Sequence, residues 1–170
     1  MNGDETEKSD IDKVPVVEGG LPFDSNEYQG IKIKIEKVYI DKDAINWYNG
    51  PKDTSGRPTY NSSSTEKMQK VVIETYPLSK LDERGNLTDE LLNGQNEDGS
   101  AKHYTVTARF NLQNKNGVWS ISKSPNAKLW KFMRKCGVET LSELKDKMVV
   151  LDTQPSRDES DDRVWLRISM

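Results

Sequence analysis

Hydrophobic and polar positions alternate from Ile31 to Ile35, where Ile31, Ile33 and Ile35 are separated by Lys32 and Lys34. This period of two marks a strand with one buried face. The apolar set then changes parity to Val38 and Ile40 with no turn residue between them. Such a shift predicts a β-bulge near Glu36–Lys37, inside one long bent strand that Gly30 opens. Ala44–Tyr48 either extends this strand or begins the next loop. Met68–Tyr76 reads as a second strand, with Val71 and Ile73 on one side and Pro77 ending it. His103–Leu112 gives the clearest alternation. Tyr104, Val106, Ala108, Phe110 and Leu112 point inward, and His103, Thr105, Thr107, Arg109 and Asn111 point outward. A turn at Asn114–Gly117 and a short return strand at Val118–Ile121 follow. Met148–Thr153 and Arg163–Ser169 supply the fourth and fifth strands, the last with Val164, Leu166 and Ile168 set against Trp165 and Arg167.

Between the third and fourth strands the period changes to that of a helix. Leu129, Phe132, Met133 and Cys136 share one face, and Lys128, Lys131, Arg134 and Lys135 share the other. Ser124 is the predicted cap, Pro125 the first helical residue and Gly137 the C-terminal stop. Thr140-x-x-Glu143 matches a capping box for a second short helix. Asn49–Glu66 and Ser79–Ser100 read as long loops, and Thr88–Gly94 within the second is expected to form one helical turn.

Composition divides the chain. The net charge of −3 conceals an acidic N-terminal stretch, in which Asp4, Glu5, Glu7, Asp10, Asp12, Glu18, Asp24 and Glu27 face only Lys8 and Lys13. The rest is mildly basic. Residues 1–20 lack periodicity and are expected to be a disordered acidic tail, and residues 21–170 a single domain. The polar start resembles no signal peptide, and no run has the roughly 20 apolar residues of a membrane span, so an intracellular, cytoplasmic protein without membrane contact is expected. Cys136 is the lone cysteine and reads as a structural thiol on the apolar helix face.

A long bulged strand, two more strands, a helix and two final strands form the order of the oligonucleotide/oligosaccharide-binding (OB) fold. Residues 28–170 resemble that family in topology. The segment Lys128–Val150 is similar to small OB-like proteins of archaea and phages, where a basic amphipathic helix leads through Leu141-Ser142-Glu143-Leu144 into Met148-Val149-Val150. Those proteins carry a glycine just before the fourth strand, where Asp146 stands here. The resemblance implies a mainly β, five-stranded Greek-key barrel with a helix between strands three and four. The alternative is a β-sandwich with one helical insertion.

No catalytic constellation is evident. His103 is the only histidine and lies on an outward strand face, one His and one Cys cannot build a zinc site, and the acids of 158–162 lack calcium-loop spacing. Neither an enzyme nor a metal or other cofactor is therefore expected. A binding face is more legible. The inward choices on the first three strands leave Lys32, Lys34, Lys70 and Arg109 outward, a cationic face without an aromatic residue. Trp47, Tyr48 and Tyr60 in or beside the first long loop, and Trp119 after the third strand, are candidate stacking platforms. Lys128, Lys131, Arg134 and Lys135, with Lys123 nearby, form a second basic patch. The expectation is largely non-specific binding of single-stranded DNA or RNA. The alternative is a protein–protein adaptor of a replication or viral assembly, docking through the basic helix or the acidic tail.

Overall fold

A computed structural model describes residues 23–156 and 164–170. The expected acidic tail and most of the acidic loop before the last strand lie outside these residues. The described chain opens with a 3₁₀ turn, Ser25–Tyr28, whose N-terminus is capped by the Asp24 carboxylate accepting from the Asn26 amide at 3.0 Å. The strands follow as β1 (Lys32–Ile45), β2 (Lys67–Thr75), β3 (Ser79–Leu81), β4 (Leu87–Leu91), β5 (Asn93–Gln95), β6 (Ala101–His103), β7 (Thr107–Asn111), β8 (Gln113–Lys115) and β9 (Val118–Ser120). Helix α1 (Lys128–Lys135) and a 3₁₀ turn, Leu141–Leu144, lead into β10 (Met148–Pro155) and β11 (Val164–Ile168).

The protein is mainly β. Its principal sheet is antiparallel throughout, in the order β11-β10-β1-β2-β7. Strand β1 is shared: Lys32–Lys34 pair with β10, and from Ile35 onward the strand pairs with β2. The handover falls at a register shift between Ile35 and Lys37, where Glu36 is the extra residue. This is the bulge that the parity change predicts. It lets Ile33 and Ile35 before the bulge, and Val38 and Ile40 after it, turn toward the same core. The sheet is open among the described residues: β7 and β11 are its two edges and face each other across a cleft instead of pairing.

Helix α1 lies between β7 and β10 in sequence, and buries Leu129, Phe132 and Met133. Phe132 stacks on Phe110 of β7 with ring centroids 5.5 Å apart, which fixes the helix to the sheet edge. Cys136 is half-buried against the same core, and burial pushes its thiol pKa up. The helix starts later than the cap signal predicts. Ser124–Ala127 is a turn closed by the Ala127 amide on the Ser124 carbonyl at 3.0 Å, and the helix cap is Ala127, without a side-chain bond. Proline's fixed φ suits the second position of a β-turn as well as the first of a helix, so Pro125 did not discriminate. The C-terminus ends as expected. Gly137 has φ +71°, its amide donates to the Arg134 carbonyl and that of Val138 to Met133, both at 3.0 Å, as in a Schellman motif.

Four other expectations are corrected. Thr88–Gly94 is no helical turn: Leu87–Leu91 is β4, paired with β3, and the Lys80–Glu90 ion pair (2.7 Å) and the Thr88 hydroxyl on the Lys80 carbonyl (2.8 Å) tie that hairpin together. An isolated turn gains too few bonds to offset its nucleation cost, whereas a hairpin pairs the same backbone groups. Consequently 79–100 is not one loop but the β3–β4 hairpin and most of a second, β5–β6. Third, His103–Leu112 is two strands with a kink. His103 closes β6, and at Tyr104–Val106 the chain is held by the Leu78 amide on the Tyr104 carbonyl (2.7 Å) and by the Val106 amide on the buried Thr75 hydroxyl (3.0 Å). The inward set Val106, Ala108, Phe110 and Leu112 is nonetheless buried. Thr140-x-x-Glu143 precedes a 3₁₀ turn, and its two side chains bond each other at 2.9 Å instead of capping the backbone. Asp146, just before β10, adopts φ +65°, a left-handed conformation that a glycine holds without strain.

Candidate nucleic-acid interface

The surface of interest begins at the free end of the β1–β2 hairpin. Residues 46–66 are mostly exposed, as expected of a loop, yet the segment is folded back on itself and buries Ser64. The Asn61 amide donates to the Trp47 carbonyl at 2.7 Å, the Gly50 amide to the Thr59 carbonyl at 2.9 Å, and the Ser64 hydroxyl to the Asn46 carbonyl at 2.6 Å. Gly50 is required by this approach, because a Cβ there would lie 2.7 Å from the Thr59 hydroxyl and 2.8 Å from its carbonyl oxygen. The fold-back brings Tyr60 beside two residues twelve and thirteen positions earlier in the chain. Its ring centroid is 6.3 Å from that of Trp47, tilted by 34°, and 5.9 Å from that of Tyr48, edge-on at 66°. All three rings remain open to solvent, at 42% for Trp47, 59% for Tyr48 and 62% for Tyr60. Solvent-open aromatics gathered in one place are costly to leave unpartnered and present π-faces to a ligand.

Strands β1, β2 and β7 form the surface that runs away from this cluster. Lys32, Lys34 and Arg109 are exposed and Lys70 is half-buried, all on the outward side. Lys32 and Lys34 have no carboxylate within ion-pair distance among the described residues, and they border a depression of ≈ 550 Å3 with Tyr76, Met148 and the carboxylates Asp89 and Asp146. Arg109 is engaged: its guanidinium donates to Asp41 at 3.1 Å, across β2. The Asp41 carboxyl is held below the usual carboxylate range, first by the Asp43 backbone amide and then by Arg109. Lys67 is likewise paired, to Asp43 at 3.1 Å. The face therefore sets two lysines against two aspartates around the depression at its β1 end and carries ion pairs in the middle.

That face does carry an aromatic residue. Tyr39 is 46% exposed and lies in register with Val72 of β2, which is in register with Arg109 of β7. Its place follows from the bulge, since inward Val38 and Ile40 force Tyr39 outward. The parity change is the sequence signal for it.

Trp119 is drawn away from the group. It sits on β9 opposite Asn114, half-buried and packed against the core. Helix residues Lys128, Lys131, Arg134 and Lys135 are all exposed, as their spacing predicts, and Lys123 lies 5.1 Å over the ring of half-buried Trp130. His103 is exposed on β6, opposite Asn93. Among the described residues no group of three or more His, Cys, Asp or Glu is placed to hold a metal ion, and no helix is long and apolar enough to cross a membrane.

Comparison of the chain with models of protein families, with curated proteins and with solved structures finds no match.

Proposed function

We propose that this protein is an OB-like module that binds single-stranded nucleic acid, largely without sequence preference. The observation that carries the reading is the convergence of Trp47, Tyr48 and Tyr60 into an exposed cluster at the end of the β1–β2 hairpin. The strand order supports it. A sheet ordered fifth-fourth-first-second-third, with the helix between the third and fourth and a first strand shared across a bulge, is the arrangement of an OB barrel cut open between its third and fifth strands. On such a scaffold the loop joining the first two strands and the outward face of strands two and three hold the ligand. Here those places carry the aromatic cluster, Lys70 and Arg109, with Tyr39 beside them on the first strand. Successive bases stack on the rings, which accept any base, while Lys32, Lys34 and Lys70 neutralise backbone phosphates. No step of this reading calls for catalysis or a cofactor.

Fluorescence anisotropy with a labelled dT oligonucleotide tests it. The wild-type chain is expected to bind with an affinity that falls as salt rises. The variant Trp47→Ala/Tyr48→Ala/Tyr60→Ala is expected to lose about 1–3 kcal/mol for each stacked base, while its thermal midpoint barely changes because the rings are solvent-open. Equal affinity for the triple variant refutes the site.

A second reading, a protein–protein adaptor, is favoured by the exposed apolar side chains Met148 (52%) and Val150 (37%) on β10, in register with Lys34 and Lys32. The same titration separates the two. An adaptor leaves dT anisotropy unchanged at every salt concentration.

A further inference from the structure

The strand face and the basic helix meet at the cleft between β7 and β11. This opening has a volume of ≈ 580 Å3. Its floor is apolar, formed by buried Phe110, Phe132 and Ile168. Its rim is cationic, with Arg109 from β7, Lys128 and Lys131 from α1, and Arg167 from β11. We propose that this cleft is a phosphate-binding subsite for the same nucleic-acid strand, with Lys128 and Lys131 as its principal cations. The inference rests on the single-strand reading above and extends the path of the strand beyond the outward face.

Which cations are available decides the assignment. Arg109 shares its charge with Asp41, and Arg167 donates to Asp152 at 3.0 Å. Lys128 and Lys131 have no carboxylate within ion-pair distance among the described residues. They lie three residues apart and both border the opening, so they share one side of α1. The helix that carries them is fixed by the Phe110–Phe132 stack, which sets where the two side chains leave the backbone. Arg109 also borders a second depression of ≈ 360 Å3, which extends along α1 between Asn111, Ser122 and Lys128. A strand crossing β2 and β7 thus passes Arg109 to reach the two lysines of the helix, and the apolar floor faces its sugars and bases. The four rim cations come from three separate elements, an arrangement that suits successive phosphates better than a single carboxylate.

The test compares wild type with Lys128→Ala/Lys131→Ala, using the labelled dT oligonucleotide over a salt series. Each neutralised phosphate of a single strand contributes about 0.7 to the slope of log K against log salt, so loss of both contacts is expected to flatten the slope by about 1.4. Affinity at low salt is expected to fall by about tenfold. Both lysines are exposed, so the fold is expected to persist, as circular dichroism will show; if it does not, Lys128→Gln/Lys131→Gln carries the same comparison. An unchanged slope and affinity, with the aromatic triple variant still impaired, overturns the subsite and leaves the main reading standing. Failure of the wild type to bind dT overturns both. Saturable binding of a peptide with the sequence of residues 1–20, without any response to dT, assigns the cleft to an acidic peptide and also overturns the proposal.

Discussion

Asp41 restrains the middle of the candidate face. Its Oδ1 accepts the Asp43 amide at 3.0 Å and its Oδ2 accepts the Arg109 guanidinium at 3.1 Å. Both bonds favour the charged form, and the carboxyl titrates below its ordinary range. The pair is consequently intact at neutral pH and opens only as the pH falls through that lowered value. Asp41→Asn keeps the shape and the Asp43 bond while removing the negative charge. On the single-strand reading it frees Arg109 for phosphate, and dT binding at low salt is expected to tighten by roughly fivefold. A weaker or unchanged affinity, measured by anisotropy, shows that Arg109 does not meet the ligand. Tyr39 is the other residue that matters here, because it supplies the outward face with a ring. Alternation is legible on both sides of the bulge, and the change of parity between them is what turns Tyr39 outward.

Helix α1 separates two kinds of terminal signal. At its end, a glycine at φ +71° followed by buried Val138, bonded back to Met133, makes the stop unambiguous. At its start, Ser124 and Pro125 carry a cap signal that the chain spends on a β-turn. The two positions therefore respond differently to alanine. Gly137→Ala is expected to cost about 1 kcal/mol, because a Cβ is strained in the left-handed region, whereas Ser124→Ala is expected to change stability by less than about 0.5 kcal/mol. Urea denaturation of the two variants checks this; an equal loss for both would mean that Ser124 does cap the helix. The same contrast explains what was readable elsewhere. Strands β1, β7 and β11 are announced by alternating apolar residues, and β2 and β10 by short apolar runs, that reach a common core. The β3–β4 and β5–β6 hairpins are not, since both are short, largely exposed and held by polar pairs such as Lys80–Glu90, whose residue types also suit a helical turn. Exposed hairpins bury too little to imprint a period on the sequence.

At the level of the whole molecule, three surfaces that are distant in sequence become neighbours through the strand order. The bulge turns β1 from β10 to β2, the β1–β2 hairpin carries the aromatic cluster outward, and α1 packs its apolar side on β7 so that its lysines border the open edge of the sheet. The separate residues of this surface were legible one by one: the outward lysines from alternation, the helix lysines from the helical period, and the aromatics from their loop. Their convergence was not, because it depends on backbone bonds within 46–66, such as Asn61 to Trp47, that no periodicity records. On the single-strand reading, one side of this molecule grips the strand and the buried side does not. The most direct measurement follows the indole N–H resonances of the 15N-labelled protein during titration with a dT oligonucleotide. The Trp47 signal is expected to move progressively, together with the backbone amides of Tyr39, Tyr48 and Tyr60, while the Trp119 and Trp130 signals stay in place. Stationary Trp47 and Tyr39 signals at saturating oligonucleotide, or shifts confined to Trp119 and Trp130, would contradict the account.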